Sequence, residues 1–520
     1  MKRRRVELAA LALFAVAIRL LYMSPYPAGW DDIDFALALD RFDLSAMQPH
    51  FPGYPVYILA AHLFYYAVGE PFTALSMLSA VAGGLTVVPL WLLFRQLGSI
   101  SAARLASILY ALAPLPVVTG IQPTSDALGT LLAGIFALLI WRSMQPEPEA
   151  VRNRTVSFIL AGVVLGLLLG VRVSYVPLSV LWAGAAAVVI CDREIPRRQA
   201  LRNVLLSAAA AALVCAAWAG ALAVSEGGVA PLMKLAFAFT EGHFTDWGGT
   251  YSADTSFTGR ARYFLLRQIG GAGLGTLWAG YAGWRWLSTI AAAIGVIGLL
   301  SVVVTRVVRK QSVSNSRRTL FLLLWILPYL LWAFFAQNVD KPRHILPLIP
   351  PLLWLLATGL EHFCTFLPRS VSRRIGSKAL FVCFSLLWLV GTAAVTYPLA
   401  REAHNKKPPV LELAEYVKES VPKDDSIMFT WEEQRVISYI SPEHQVRRLR
   451  HWSDMRMELL QYPVPPRHIF ATNAFIQGID RSAGSWFNEV IAFEGSPWLY
   501  PTYHRVVLYE QKPGFIEGLR

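Results

Sequence analysis

The segment from Gly29 to Tyr57 concentrates the residue types that can do acid–base chemistry. It reads GWDDIDFALALDRFDLSAMQPHFPGYPVY and contains five aspartates and one arginine. Carboxylates beside membrane-spanning segments are costly unless they face water or take part in a reaction. An ionised carboxylate can accept a proton from an attacking hydroxyl group. We therefore expect Asp31 and Asp32 to be the catalytic residues.

A purely structural interpretation of the aspartates also fits the sequence. If a short helix runs from Asp32 to about Asp40, Asp31 would be its N-cap and Asp34 would stand in a capping box. A cap needs one acid rather than three, and the helix dipole keeps a carboxylate at a helix start ionised. The sequence leaves open which of Asp31, Asp32 and Asp34 is the base. Asp40 and Asp43 are expected to face solvent.

The acidic stretch is followed by the sequence HFPGYP at residues 50–55. Its two prolines restrict the backbone before the next apolar run, and Gly53 permits a close backbone approach. His50 could hydrogen-bond a backbone carbonyl or belong to a site. We predict substrate-binding roles for Asp34, His50 and Tyr54.

The composition indicates that most of the chain lies in a membrane. Its 520 residues are 55% hydrophobic and 16% charged, with a mean hydropathy of +0.45, whereas soluble domains have about 25% charged residues. The net charge of +13 could suggest nucleic acid. The basic residues, however, form short clusters between apolar runs, which is how membrane topology is encoded. Nucleic-acid binding is therefore not expected.

Apolar runs that approach the length of a membrane-spanning helix, about 20 residues, predict eleven spans. They lie near residues 6–23, 72–94, 103–120, 125–142, 155–171, 174–191, 203–224, 284–305, 319–336, 344–364 and 378–398. The first has a basic start and no clear cleavage site, so we expect it to be retained. Pro52–Val68 is apolar but short and begins between prolines.

The distribution of Lys and Arg predicts the orientation of these spans. If the amino terminus is cytoplasmic and Pro52–Val68 lies at the outer surface, most basic residues fall in inside loops. If Pro52–Val68 spanned the membrane, most of them would move outside, against the positive-inside rule. Residues 24–71, residues 225–283 and the carboxyl-terminal tail would then be outside. We predict a multi-pass protein of the inner or plasma membrane.

Residues 401–520 differ in character from the rest of the chain. Extended pieces at 426–430, 446–449, 468–472 and 505–509 alternate with helical ones at 410–420, 432–439 and 454–461. This alternation predicts a small α/β domain. The predicted fold is an α-helical polytopic membrane protein, with about eleven spans and interfacial helices in residues 1–400, and a small extracytoplasmic α/β domain in residues 401–520.

The sequence predicts no metal or cofactor. The four cysteines have no zinc-site or disulfide spacing, and the tail contains no nucleotide-binding glycine pattern. His243, Asp246 and Asp254 fit no ligand pattern. An outer acidic pair could still hold one divalent ion.

The order of acidic pair, short helix, His-x-Pro-Gly-Tyr-Pro and apolar helix resembles the multi-spanning glycosyltransferases of the GT-C class. It is most similar to the protein O-mannosyltransferase and aminoarabinose-transferase branch (glycosyltransferase family 39-like). The likeness covers about residues 1–200, through RQLG at 95–98, ALAPL at 111–115 and TSDAL at 124–128, and recurs in RHILPLIP at 343–350. The chain has Asp32 where the family usually has Glu, and Phe51 where relatives commonly have Pro.

The resemblance implies GT-C-type transfer of a hexosyl or pentosyl unit from a polyprenyl-phosphate-linked donor. The acceptor would be a hydroxyl group of a lipid, glycan or protein on the outer face, and the configuration would be inverted. An aspartate of the first outer loop would be the base, and Asp31 matches the first member of the family's acidic pair.

A lipid-phosphate leaving group needs cations at the outer membrane boundary, since charge-assisted donors suit phosphoryl oxygens. Short outer turns carry basic side chains that could supply this charge, or could simply snorkel at helix ends. The predicted substrate-binding residues on these turns are Arg172, Tyr175, Lys341, Arg343 and His344.

Two other classes of function fit parts of the sequence. A lipid or polysaccharide transporter would have polar residues within the spans and related halves, whereas the spans here are nearly free of charge. A non-catalytic membrane scaffold would use the aspartates only as caps. An apolar groove leading to Asp31 would favour the enzyme over both. The sequence does not indicate which sugar or which acceptor is used.

Overall fold

Long apolar helices make up most of the chain. The computed structural model describes residues 2–145, 151–247, 249–251, 256–276, 285–308, 316–366, 376–449, 451–478 and 483–516. In these ranges, nine helical segments are long and apolar enough to cross a membrane. They are Pro71–Leu97, Asp126–Ser143, Asn153–Val171, Val173–Ile190, Arg197–Ser225, Arg285–Val304, Arg317–Phe335, Pro342–Phe366 and Ser377–Ser420.

The membrane region contains seventeen described α-helices, which we number in chain order. They are α1 (Lys2–Tyr22), α2 (Trp30–Asp40), α3 (Pro55–Val68), α4 (Pro71–Leu85), α5 (Val87–Leu97), α6 (Ile100–Leu112), α7 (Pro114–Thr119), α8 (Asp126–Ser143), α9 (Val151–Val171), α10 (Ser179–Ile190), α11 (Arg197–Ser225), α12 (Val229–Gly242), α13 (Phe257–Arg262), α14 (Arg285–Val308), α15 (Ser316–Phe335), α16 (Ile349–Phe366) and α17 (Ser377–Asn405). Short 3₁₀-helices precede α10 and α16, at Val173–Leu178 and Pro342–Leu348. Of the two remaining predicted spans, 6–23 coincides with α1, whereas 103–120 is divided between α6, which has only 13 residues, and α7.

Helix α3 is the apolar segment that the charge pattern assigns to the outer surface. Its 14 residues extend for about 21 Å at 1.5 Å per residue, whereas the hydrocarbon core is about 30 Å thick. Gly53 and Tyr54 precede it with φ angles of 88° and 46°, so the chain turns sharply into the helix. The length agrees with a helix that does not span.

The carboxyl-terminal residues form the expected small α/β domain. It contains α18 (Pro409–Ser420), β1 (Ser426–Thr430), α19 (Gln434–Ile440), β2 (Val446–Arg448), α20 (Trp452–Leu460), β3 (His468–Thr472), α21 (Asn473–Gly478), β4 (Phe487–Glu494) and β5 (Arg505–Gln511). The strand order is β2-β1-β3-β5-β4. Strand β1 pairs in parallel with β2 and β3, and β5 pairs antiparallel with β3 and β4. The sequence did not predict β4.

The domain packs directly on residues 24–71, the predicted first outer loop. One buried apolar cluster contains Phe35 and Tyr57 of that loop together with Val410, Met428 and Val436 of the domain. Successive residues of a strand point to opposite sides of the sheet, and the apolar residues on the other face belong to a separate cluster. The carboxyl-terminal domain is therefore held by a core that it shares with the membrane region.

The close crossing of helices α14 and α16 offers a test of the packing in the membrane region. A Cβ added at Gly359 of α16 would overlap the carbonyl oxygen of Gly295 in α14, whereas one added at Gly220 of α11 meets no atom within 4 Å. Overpacking a core costs about 1–3 kcal/mol. We expect Gly359→Leu to lower the thermal unfolding midpoint of the purified protein in detergent, and Gly220→Leu to leave it unchanged. Equal midpoints would contradict the close crossing.

Candidate active site

A cleft of about 750 Å³, including the part open to solvent, lies between the first outer loop and the carboxyl-terminal domain. Four parts of the chain meet there. The lining comprises residues 28–32, five residues between 115 and 124, residues 341–343, and Glu432 with residues 498–503 of the carboxyl-terminal domain. The cleft therefore needs both the membrane region and the domain.

The carboxylate of Asp31 forms an ion pair in this cleft. The Arg343 Nη2 atom lies 2.5 Å from Asp31 Oδ2, and the two side chains are 22% and 24% exposed. Burial by itself would raise the pKa of Asp31, but the Arg343 guanidinium, together with His50 and Lys341, outweighs burial and holds this pKa well below its usual range. No described residue donates a hydrogen bond to Asp31 Oδ1. The cleft thus contains an ionised carboxylate with one open oxygen.

Asp32 lines the same cleft but has a different electrostatic environment. Its Oδ2 atom accepts a hydrogen bond from the Ala28 N–H at 2.7 Å, and only 5% of the residue is exposed. Burial raises the pKa of Asp32 to about 7, and the neighbouring Asp31 charge adds to the rise. Asp32 therefore changes protonation state near neutral pH.

The predicted cap at Asp31 is wrong. Helix α2 begins two residues earlier than expected, at Trp30, and Gly29 is the residue before it. Asp31 therefore lies within the first turn, where its side chain pairs with Arg343. Asp32 reaches back to the backbone in the way that a capping-box acid does, whereas the prediction gave that place to Asp34.

Asp34 is completely buried behind the cleft. Its Oδ2 atom accepts hydrogen bonds from Trp30 Nε1 at 3.1 Å and His50 Nδ1 at 2.8 Å. Its Oδ1 atom accepts one from Arg435 Nε at 2.7 Å, and Arg435 also donates to the Met47 carbonyl. Asp34 thereby connects the first outer loop to helix α19 of the carboxyl-terminal domain.

His50 and Tyr54 extend this buried chain. The second ring nitrogen of His50, Nε2, lies 2.9 Å from the Tyr54 hydroxyl, and its ring stacks on Phe239 of α12. Asp34, His50 and Tyr54 were predicted to bind substrate, yet none of the three lines the cleft. In this arrangement they lie outside the cleft and support the part of the first outer loop that lines it.

The predicted cations fall into two groups. Lys341 and Arg343 line the cleft, and Lys341 Nζ lies 3.9 Å from Glu432 Oε2. Arg172 is 6% exposed, and its Nη1 atom lies 3.0 Å from Asp126 Oδ2.

The surroundings of Arg172 keep it out of the cleft. It also donates to Ser125, and its guanidinium lies 5.7 Å from the centre of the Tyr175 ring. Arg172 and Tyr175 therefore belong to a buried cluster with Asp126, rather than snorkelling at a helix end. His344 follows Arg343 in the chain but is not among the lining residues.

The sequence did not single out the contribution of the carboxyl-terminal domain. Glu432 follows the carboxyl end of β1, where ligand sites of parallel sheets are often found, and this position could have indicated it. Tyr503 donates a hydrogen bond to Glu432 Oε2 at 3.1 Å. No local pattern indicates that residues 498–503 return to the cleft.

An apolar compartment of about 300 Å³, including the part open to solvent, adjoins the cleft. It shares four lining residues with the cleft: Leu115, Val118, Pro342 and Trp498. Its other lining residues are Pro114, Gly271, Ala272, Val395 and Leu399. An apolar space therefore lies directly beside Lys341 and Arg343. In the described parts of the chain, no group of three or more His, Cys, Asp or Glu side chains is placed to hold a metal ion.

The link between Asp34 and Arg435 can be tested by removing the cation. Truncating one partner of a buried ion pair costs about 3–5 kcal/mol, because the charge that remains is buried. We expect Arg435→Ala to lower the free energy of unfolding and to make the carboxyl-terminal domain sensitive to limited proteolysis. The control is Arg505→Ala, which removes an exposed partner of Glu494. Similar effects of the two substitutions would contradict the structural role of Arg435.

Comparisons with known proteins agree with this architecture. Residues 49–219 match the family described as dolichyl-phosphate-mannose-protein mannosyltransferase. No curated protein sequence matches the chain significantly. The structure of ArnT from Cupriavidus metallidurans bound to undecaprenyl phosphate is similar over 99% of both chains, with 13% identity and a TM-score of 0.56.

Two structures of the Archaeoglobus fulgidus oligosaccharyltransferase are also similar. The complex with Zn and sulfate has 14% identity and a TM-score of 0.57, over 96% of this chain and 74% of that one. AglB in complex with an inhibitory peptide and a dolichol-phosphate has 12% identity and a TM-score of 0.52, over 97% of this chain and 74% of that one. The chain thus has the GT-C glycosyltransferase fold and resembles the protein O-mannosyltransferase and ArnT branch, as the sequence predicted.

Proposed function

We propose that this protein is a membrane glycosyltransferase that moves a sugar from a polyprenyl-phosphate-linked donor to an acceptor hydroxyl group. The observation that carries the proposal is the cleft, in which the Asp31 carboxylate lies beside Lys341 and Arg343 and next to an apolar compartment. The fold supports it, because similar structures contain undecaprenyl phosphate or dolichol-phosphate.

The cations and the apolar compartment suit the two ends of such a donor. Arg343 and Lys341 would bind the phosphate by charge-assisted hydrogen bonds, and the first isoprene units would occupy the space lined by Leu115, Val118 and Leu399. Positive charge fixed beside the leaving phosphate stabilises the charge that develops during transfer. The proposed reaction uses no metal or cofactor. That the protein needs neither stays a prediction.

Asp31 is the proposed general base. Its open oxygen accepts the proton of the acceptor hydroxyl, and the acceptor oxygen forms a bond to the anomeric carbon. The bond from that carbon to the phosphate oxygen breaks, and the lipid phosphate leaves with the electron pair. Attack from the face opposite the phosphate inverts the configuration. The ion pair with Arg343 lowers the pKa of Asp31. A phosphate that draws Arg343 away therefore makes the Asp31 carboxylate more basic.

The reaction is proposed to take place on the outer face of the inner or plasma membrane, with the amino terminus in the cytoplasm. The carboxyl-terminal domain is then extracytoplasmic and covers the cleft from the water side. A lipid, a glycan or a protein could supply the acceptor hydroxyl, and the transferred unit is a hexose or a pentose.

Substitution of Asp31 tests the assignment of the base. Losing a general base typically costs about 10²–10⁴ in rate, so we expect Asp31→Asn to lower kcat by about 10³ in membranes supplied with polyprenyl-phosphate sugars. The matched control is Asp43→Asn, since Asp43 pairs with Arg41 away from the cleft. An Asp31→Asn protein that inserts correctly and keeps full activity would rule out Asp31.

The pH dependence of kcat/KM distinguishes Asp31 from Asp32. With its pKa far below the usual range, Asp31 is ionised throughout pH 5–8 and gives no rise in rate across that interval. Asp32, with a pKa raised to about 7, would give a rate that increases about tenfold per pH unit below 7 and levels off above it. We expect the flat profile. A rise through pH 7 that disappears in Asp32→Asn would transfer the role to Asp32.

A further inference from the structure

We infer that Glu432, supplied by the carboxyl-terminal domain, is a specificity-determining residue that binds hydroxyl groups of the sugar on the donor. The inference rests on the proposed function and adds a substrate contact that the membrane region cannot provide. It also gives the carboxyl-terminal domain a direct part in recognising substrate.

The hydrogen bonds of Glu432 leave one oxygen open toward the cleft. Its side chain lines the cleft and is 19% exposed. Oε2 accepts a hydrogen bond from the hydroxyl of Tyr503, a residue that is 8% exposed. Oε1 accepts none from the described residues. A carboxylate oxygen is an acceptor only, so the open position suits a hydroxyl or an N–H donor.

The distance between Glu432 and Lys341 places this acceptor beside the proposed phosphate site. The two charged atoms are 3.9 Å apart, compared with 2.5 Å for Asp31 and Arg343. The looser pair separates more easily when Lys341 turns toward a phosphate. The sugar is attached to that phosphate, so its hydroxyl groups come next to Glu432. They replace the lost cation with charge-assisted hydrogen bonds.

The residue that precedes Glu432 is held in place before any ligand binds. Trp431 precedes it, and the Arg448 guanidinium lies 4.2 Å from the centre of the Trp431 ring and 4.9 Å from that of Trp30. Trp30 is fixed in turn by its hydrogen bond to Asp34. Since ordering a binding group costs affinity, a carboxylate that is already positioned suits selective binding.

Binding measurements on the full-length protein in nanodiscs test this inference. The probes are undecaprenyl phosphate and its mannose, glucose, galactose and arabinose conjugates, all without acceptor. We expect the wild type to bind at least one conjugate more tightly than undecaprenyl phosphate. We expect Glu432→Gln to weaken binding of that conjugate by about 10- to 100-fold, as for a lost hydrogen bond to a charged group. Its affinity for undecaprenyl phosphate should stay unchanged.

Two further variants complete the comparison. Tyr503→Phe keeps the carboxylate but loses the hydrogen bond that orients it, so it should weaken conjugate binding by a smaller factor. Glu494→Gln alters an exposed carboxylate of the same domain and should bind every probe as the wild type does. Correct folding of each variant is checked separately, by a thermal unfolding midpoint equal to that of the wild type.

Other outcomes would overturn the inference. If Glu432→Gln weakens undecaprenyl phosphate and its conjugates equally, Glu432 acts through Lys341 and not on the sugar, while the proposed function stands. A wild type that binds no sugar conjugate more tightly than undecaprenyl phosphate also overturns it. A wild type that binds neither undecaprenyl phosphate nor its conjugates would instead reject the proposed function.

Discussion

The buried carboxylate of Asp34 is the constraint on which the candidate site depends. A charge with no exposure to solvent must be paired and hydrogen-bonded, and Asp34 obtains its partners from Trp30, His50 and Arg435. Because Arg435 belongs to the carboxyl-terminal domain, the pairing holds that domain over the first outer loop. The cleft forms between these two parts, so the domain is a wall of the site and not an appendage.

Within the cleft, each of the two cations is paired with a carboxylate. Arg343 is bound tightly to Asp31, and Lys341 is bound loosely to Glu432. The positive charge that a phosphate needs is therefore already present and balanced before a donor arrives. In the proposed reaction, the phosphate takes over the cations and releases both carboxylates, one to accept a proton and one to bind the sugar. One exchange of partners thus couples donor binding to activation of the base.

Sequence reasoning identified the membrane architecture and the strands β1 and β3, because each follows from hydropathy or alternation within a short window. The outer position of residues 24–71 stays a prediction. Sequence reasoning also placed Asp31, Asp32, Lys341 and Arg343 among the site residues, and these four line the cleft. It could not separate them from Arg172, since a basic residue on a short turn looks the same whether it faces a cavity or a buried Asp126. Glu432 and Tyr503 were missed because their approach to residues 28–32 depends on the docking of a whole domain. Strand β4 lies at the edge of the sheet and fully buries only its first residue, Phe487, so its sequence lacks the alternating pattern of a half-buried strand.

A cryo-electron microscopy structure of the full-length protein with undecaprenyl phosphate would show where the lipid phosphate binds. We expect the phosphate oxygens within hydrogen-bonding distance of Lys341 and Arg343, with the isoprenoid chain running along Leu115, Val118 and Leu399. We also expect Arg343 to have moved from Asp31. A phosphate bound at Arg172, or anywhere outside the cleft while both cations keep their carboxylate partners, would contradict the proposed phosphate site.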